Sequence, residues 1–307
     1  MKPACRPAFP RRNSAHIASI GALFLPLLLT GCSLFPTTRK LPRPKPPLVT
    51  QTLTPEELVD RLNHRWDAVS TLTAKVEFQA SVSKSKEGVA TDYPSVEGHI
   101  LMRKPENLRV VGQMIGIRVF DMASDGNCFT LSIPHDDKVV KGCGASKTKS
   151  KNTWENLRPG FFFDALLVRG IDADDQTRYS VTSDTFMVED AAKKHLFSVP
   201  EYILHITRSK PGIQKETTVR DVYFHRDDLQ PYQQDLYDSE GNLETQVIYE
   251  GYQDFEGGKF PSRVTIKRPI EEIQIVLNVE DVKENQTLPD DQFVVQIPPS
   301  SKIVSQE

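Results

Sequence analysis

From Leu72 onward, apolar residues recur at every second position in short runs separated by turn residues, and this alternation restricts the fold more than any other feature of the chain. Ala74, Val76, Phe78, Ala80 and Val82 alternate with polar neighbours; Val96, Gly98, Ile100 and Met102 do the same; Leu108 and Val110 lead to Ile117, Val119 and the run Cys128 to Ile133. A period of two sends successive side chains to opposite faces of a pleated strand, so each run reads as a half-buried strand. The breaks Lys86-Glu87-Gly88, Lys104-Pro105-Glu106-Asn107, Asp125-Gly126 and Pro134-His135-Asp136-Asp137 are short, which makes the strands an antiparallel meander. The pattern resumes around Phe186 to Val188, Tyr202 to Thr207, Thr217 to His225, Tyr232 to Tyr237, Glu244 to Tyr252, Phe260 to Lys267, Ile273 to Val279 and Phe293 to Ile297. Asp238-Ser239-Glu240-Gly241-Asn242 and Glu256-Gly257-Gly258-Lys259 read as hairpin turns. The expectation is a mainly β fold with one antiparallel sheet of about a dozen strands and two helices, undivided after Leu53.

The first helix opens at Thr54-Pro55-Glu56-Glu57, where a hydroxyl cap, a proline at the first helical position and a glutamate three residues on form a capping box. Leu58, Val59, Leu62, Trp66 and Val69 follow at helical spacing and give one apolar face, which a sheet would cover. The paired glutamates belong to the helix start and its dipole rather than to acid–base chemistry. The second helix is expected inside Trp154 to Val168, after Pro159-Gly160, where Phe161, Phe162, Phe163, Leu166 and Leu167 crowd a short segment. Such a density of aromatics suits a plug in a concave surface, with ordinary core as the plainer reading.

Ahead of the sheet, Lys2, Arg6, Arg11 and Arg12 precede Ile17 to Leu29, an almost uncharged run too short to span a bilayer, which marks a secretory signal. The residues around Arg11-Arg12 match a twin-arginine signal poorly. Leu29-Thr30-Gly31-Cys32, small residues directly before a cysteine, resembles the lipobox of bacterial lipoproteins. That resemblance implies cleavage after Gly31, covalent diacylglycerol and an acyl chain such as palmitate on Cys32, and no other cofactor. Loss of residues 1–31 removes four basic residues and no acidic ones, taking the formal net charge from −3 to −7. An acidic chain without a basic stripe is a poor nucleic-acid binder, and attachment to a membrane would come from the acyl group. Ser33 to Leu53, with Pro36, Pro42, Pro44, Pro46 and Pro47 among Arg39, Lys40, Arg43 and Lys45, reads as an extended tether, or as a basic segment resting on headgroups. The domain boundaries expected are therefore 1–31 signal, 32–53 lipidated cysteine and tether, 54–299 folded domain and 300–307 tail.

Cys128 and Cys143 remain once Cys5 and Cys32 are set aside. If His135 and Asp136 are the central turn residues, the two cysteines lie directly opposite each other, and a cross-strand disulfide follows; free buried thiols or a redox pair are the alternatives, the latter without a short Cys-to-Cys spacing. The seven His are scattered without ligand spacing, so no metal centre is expected. There is no Gly-x-Ser-x-Gly elbow, no His-Glu-x-x-His, no phosphate-binding glycine loop, and Asp172-Ala173-Asp174-Asp175 lacks the glycine and terminal glutamate of a calcium loop. No catalytic residue is assigned.

A capped helix, a strand opening Leu72-Thr73-Ala74, and Arg103-Lys104-Pro105-Glu106-Asn107-Leu108-Arg109 together resemble the start of the LolA and LolB lipoprotein-localisation factors. The later part is similar too: Leu236-Tyr237-Asp238 with Gly241, Tyr249-Glu250-Gly251-Tyr252, Phe260-Pro261, Asn285 with Leu288-Pro289-Asp290-Asp291-Gln292-Phe293, and Ile297-Pro298. The resemblance covers roughly Thr54 to Pro299, and LolB, itself a lipoprotein, is closer in kind. It implies a strongly curved antiparallel half-barrel whose apolar concave side, partly filled by helices, receives acyl chains. The lining expected from the strands is Val76, Phe78, Ile100, Met102, Val110, Val119, Leu204, Val264, Ile275 and Leu277, with Trp66, Phe162 and Leu166 packing over it from the helices.

In Gln113-Met114-Ile115-Gly116-Ile117 the turn is apolar where turns are normally polar, so at least one side chain should face solvent. In LolB the corresponding loop carries an exposed leucine that places cargo into the membrane; Ile115 matches that residue and Met114 its neighbour, while the family's proline is absent. The function this implies is acceptance or insertion of lipoproteins at the periplasmic side of the outer membrane, with acyl chains, the membrane and a soluble periplasmic carrier as partners. Ser33 after the cysteine suits outer-membrane sorting. The alternative is a structural or sensor lipoprotein of the envelope whose interior is packed solid and whose convex face binds proteins.

Overall fold

The computed structural model describes residues 50–84, 87–144, 159–172, 174, 176–189, 196–209 and 216–306; the signal, Cys32, most of the tether and Trp154 to Arg158 lie outside them. After helix α1 (Pro55–Ala68) come strands β1 (Thr71–Lys84), β2 (Val89–Asp92), β3 (Val96–Arg103), β4 (Asn107–Met114), β5 (Ile117–Ser124), β6 (Cys128–Ile133) and β7 (Lys138–Cys143). Helix α2 (Gly160–Leu166) follows, then β8 (Thr177–Glu189), β9 (Leu196–Ser209), β10 (Glu216–His225), β11 (Pro231–Tyr237), β12 (Leu243–Phe255), β13 (Gly258–Arg268), β14 (Ile273–Glu284) and β15 (Lys302–Gln306).

All fifteen strands form one open sheet in the order β15-β7-β6-β5-β4-β3-β1-β14-β13-β12-β11-β10-β9-β8, with β2 paired to β1 off that path. Two meanders meet where the first strand pairs with the fourteenth, Val76 opposite Val279 and Phe78 opposite Leu277. A bulge between Lys75 and Val76 adjusts the register there, and bulges raise local twist and bend a strand. Chain ends are thus stitched together through the middle of the sheet, a long-range closure that no local turn signal encodes.

Several expectations are corrected. The sheet has fifteen strands rather than about a dozen, and it is not wholly antiparallel. Residues 302–306, expected in a tail, form β15 and pair parallel with β7, Ile303 opposite Val139. Phe293 to Ile297, expected as a strand, is not one: Phe293 closes a single 3-10 turn at Asp290–Phe293, and Val294 to Ile297 are irregular. The strand expected around Phe186 to Val188 runs the full length of β8. The tether also ends earlier than Leu53: the Gln51 amide donates to the Arg226 carbonyl at 2.7 Å, the Leu53 amide donates to the Tyr202 hydroxyl at 3.1 Å, and Leu53 packs against the core.

The alternation sorts side chains into two cores on the concave side. One joins β1, β3, β4, β12, β13 and β14 to α2. The other packs Leu58, Val59 and Leu62 of α1 against Leu204 and Ile206 of β9 and Val222 and Phe224 of β10. The capping box is formed, with the Thr54 hydroxyl accepting from the Glu57 amide and the Glu57 carboxylate accepting from the Thr54 amide. Cys128 and Cys143 are directly opposite and disulfide-bonded. Among the described residues no helix is long and apolar enough to cross a membrane.

Register also defines two rims. At one lie the turns 84–89, 114–117, 238–242 and 269–272; at the other lie the turns 103–107, 124–128, 225–231 and 255–258. Gln51 is fastened beside Arg226 and Asp227, on the second of these.

Candidate lipid-binding face

Val76, Ile100, Val110, Val264 and Leu277 are all fully buried on the concave face, with Phe78, Met102 and Ile275 beside them. Arg268, itself buried, borders that cluster with its guanidinium 5.6 Å from the Phe161 ring centroid. Leu204, expected in the same lining, packs beneath α1 in the second core. Val119 is not in either core, which corrects its assignment. The register of β4 and β5 shifts between Gly112 and Gln113, so Gly112 faces Phe120 and Val110 faces Met122. Val119 therefore falls on the side of Asp121, and Phe120 and Met122 line the concave face instead.

Two glycines let aromatic rings lie flat on that face. A Cβ on Gly98 would come within 2.1 Å of the Phe78 ring, and one on Gly112 within 2.3 Å of the Phe120 ring. Those rings meet edge to face at 5.6 Å, and Phe78 meets Phe162 of α2 the same way at 6.2 Å. This packing recruits Phe120 to a role its position in the sequence alternation does not announce.

Helix α2 is the cover. Phe161, Phe162, Phe163, Ala165 and Leu166 are all buried, an all-round apolar surface that only a position between other elements can satisfy. Trp66 of α1 is half-buried and meets Phe163 at 6.3 Å, while Lys104 sits over the Trp66 ring at 4.1 Å and donates to the Trp66 carbonyl. Burial lowers the Lys104 pKa, with Asp67 acting against it.

The segment leaving α2 is held by side chains that reach across the groove to its backbone. Gln234 donates to the Asp164 carbonyl at 2.9 Å; Arg220 donates to the Arg169 and Gly170 carbonyls at 2.8 and 3.1 Å. Asn63 of α1 donates to the Ile171 carbonyl and accepts from its amide. Arg169 pairs with Asp164 and with Glu106. Burial depresses the Arg220 pKa to about 10, against the pull of nearby Asp164, which leaves it cationic at neutral pH. The cover is apolar inward and hydrogen-bonded along one side, so polar fastenings rather than apolar contacts decide where it sits.

With α2 in place, the space left beside it is a cleft of about 310 Å³ lined by Asp164, Arg169, Ile206, Arg220, Gln234 and Leu236 among others. The Gln234 Oε1, fully buried, accepts no hydrogen bond.

At the 84–89 rim, Ile115 is 96% exposed, and Met114 and Ile117 are exposed beside it. Ile115 has φ +51° and Gly116 +75°, the left-handed region that a β-branched residue rarely adopts. On the convex side, Arg109 and Arg118 both bind the fully buried Asp121 carboxylate, at 2.9 to 3.0 Å. Also convex, Thr182 Oγ1 lies 3.0 Å from His205 Nε2, and His205 Nδ1 lies 2.9 Å from Asp221. That line has the order of a nucleophile, base and acid, but it spans three paired strands, and Tyr237 occupies the second Asp221 oxygen at 3.0 Å. Backbone N–H groups within paired strands are turned to their ladder partners, which leaves no preorganised oxyanion site there.

No family model matches the chain, and no curated protein matches it. Solved structures do. A DUF1329 family protein from Desulfovibrio piger is similar at a TM-score of 0.50 and 14% identity, over 78% of this chain and 95% of that one. A LolA superfamily protein from Nitrosomonas europaea aligns at 0.47 and 13% identity, over 80% and 99%. A domain from Vibrio parahaemolyticus named for outer membrane lipoprotein sorting aligns at 0.49 and 11% identity, over 78% and 97%. At such identities the likeness is one of fold: a single curved sheet with helices packed on one face, shared with the DUF1329 family protein.

Proposed function

We propose that the chain is a membrane-anchored lipoprotein of the cell envelope that binds acyl chains on its concave face and passes lipidated cargo to the outer membrane. The observation that carries this reading is a concave surface with a broad apolar centre, bordered by Gln234, Arg220 and Arg268 and closed by a seven-residue helix with five buried residues. Each buried methylene is worth about 0.8 kcal/mol, so one long acyl chain has a preference on the order of 10 kcal/mol for such a surface over water. Displacing α2 would expose the surface, and the side chains that hold the 164–171 segment would set how readily it moves. The cargo would arrive from a soluble periplasmic carrier and leave by way of the 114–117 loop, where Ile115 and Met114 would touch the bilayer. No step of this work needs a nucleophile or a cofactor; the covalent diacylglycerol and acyl chain on Cys32 supply the anchor.

A second reading has its own support: α2 fills the concave side, and the remaining cleft of about 310 Å³ is bordered by charged residues. A domain that never opens would be structural or sensory, presenting its convex face to other envelope proteins. Mass spectrometry of lipid retained by a Cys32→Ala chain separates the two. Co-purifying acyl lipid that Met102→Asp abolishes in a folded protein supports the carrier; a domain free of lipid before and after exposure to it establishes the solid one.

A further inference from the structure

The exposed apolar side chains are not scattered. Of the large hydrophobics exposed in the described residues, Val89, Met114, Ile115, Ile117 and Ile270 belong to one rim. They sit on three turns carried by neighbouring strands: β1 to β2, β4 to β5, and β13 to β14. The last of these turns lies against the end of β1, which β14 pairs with, since the Ser83 amide donates to the Glu272 carbonyl at 2.8 Å. The turn bearing Ile270 has its own left-handed residue, Glu272 at φ +57°, and closes with the Glu272 amide donating to the Pro269 carbonyl. The turns of the opposite rim carry Lys104, Glu106, Asp125, Asn127, Asp227, Asp228 and Glu256, and on the apolar rim the charged turns lie to either side of the three, with Asp136 and Asp137 on one side and Asp238 and Glu240 on the other.

We infer that three adjacent turns of this rim, and not the 114–117 loop alone, form a docking surface for a lipid bilayer, with Val89 and Ile270 entering the interface beside Ile115. This rests on the reading that the 114–117 loop meets a membrane and extends it to two further turns. Separate apolar knobs on tight turns suit a fluid surface that closes around each one, whereas a protein partner requires a continuous complementary patch. The charges beside the knobs are matched in pairs: Lys84 with Glu87 at 3.4 Å, Arg118 with Asp121 at 2.9 Å, Arg268 with Glu271 at 3.1 Å. Such a rim presents no basic cluster for anionic headgroups, so its contact is apolar and insensitive to salt.

The chain supplies its own means of testing this. In the mature protein Cys32 carries lipid and Cys128 is bonded to Cys143, so one introduced cysteine is a single labelling site. Val89→Cys, Ile115→Cys and Ile270→Cys, with Glu256→Cys at the opposite rim, are labelled with an environment-sensitive dye. The full mature chain is then mixed with phosphatidylethanolamine/phosphatidylglycerol vesicles containing brominated lipid. Blue-shifted emission and at least two-fold quenching at 89, 115 and 270, undiminished in high salt and absent at 256, is the expected result. Quenching at 115 while 89 and 270 stay in water overturns the three-turn surface and leaves the single loop standing. No quenching at any position overturns both.

Discussion

Phe163 is the largest side chain among those almost wholly removed from solvent, and it ties α2 to Trp66 of α1. Phe163→Ala should cost about 3 to 5 kcal/mol in a denaturant titration, and a bound alkyl chain should recover part of that loss by filling the space. On the convex face Asp121 anchors two arginines, so Asp121→Ala leaves Arg109 half-buried without its carboxylate and should cost about 3 to 5 kcal/mol; Asp121→Asn, which keeps the shape, should cost less in the same titration. Individual lining residues were legible wherever the alternation ran unbroken, as from Ala74 to Val82 and from Ile273 to Val279. The reading failed at Val119 because Val119 is itself the extra residue of a bulge that reverses the faces beyond it, and nothing in Arg118-Val119-Phe120 announces where the bulge falls. Phe120 and Met122 were hidden by the same slip.

Among the elements, the β6 to β7 hairpin was fully legible, since its turn residues fix which positions oppose and so bring the two cysteines together. Its disulfide closes a loop of sequence separation 15, for which chain entropy gives about 3 kcal/mol; Cys128→Ser with Cys143→Ser should lose at most that, read as a shift in denaturation midpoint. The β4 to β5 loop behaves in the opposite sense. Ile115→Glu should leave that midpoint unchanged, because a residue so exposed contributes no burial, while delivery of lipidated cargo to liposomes falls; a drop in midpoint instead would mark the loop as core. Strands β8 and β15 escaped a sequence reading for a physical reason. Both are edge strands, and most of β8 is exposed on either face, so neither needs the polar–apolar alternation that burial of one face imposes. The length of the chain's second helix was equally obscure, because an all-round apolar segment has no period to measure.

At the scale of the whole molecule, the closure of β1 against β14 and the parallel seat of β15 beside β7 are long-range pairings that local pattern cannot supply, whereas the curved single sheet followed from strand count, short turns and family motifs. One global property follows from the tyrosines. Burial raises the pKa of Tyr223, Tyr232, Tyr237, Tyr249 and Tyr252 above the ordinary phenol value, with Asp235, Asp221 and Glu201 adding to the effect at the first three. A group whose pKa is higher folded than unfolded stabilises fully below its unfolded pKa and loses that contribution above it. Stability should therefore fall as pH rises beyond about 10, measured as midpoint against pH. Arg220 works the other way, since its charge is unfavourable in the fold and is relieved above a pKa of about 10, but it is one group against five. A final consequence concerns reach. Gln51 is pinned to the rim opposite the apolar turns, so if the chain is anchored at Cys32 as proposed, residues 32–50 have to reach from one rim to the other before those turns can touch the same membrane. In polyproline form those residues reach about 60 Å, and the fourteen-residue strands β1 and β9 stand at most about 45 Å tall. The slack is thus on the order of 15 Å, or about five residues. Deleting about ten residues between Ser33 and Val49, some 30 Å of leash, should abolish insertion of the turns into the membrane that holds the chain and leave insertion into a second, added vesicle intact.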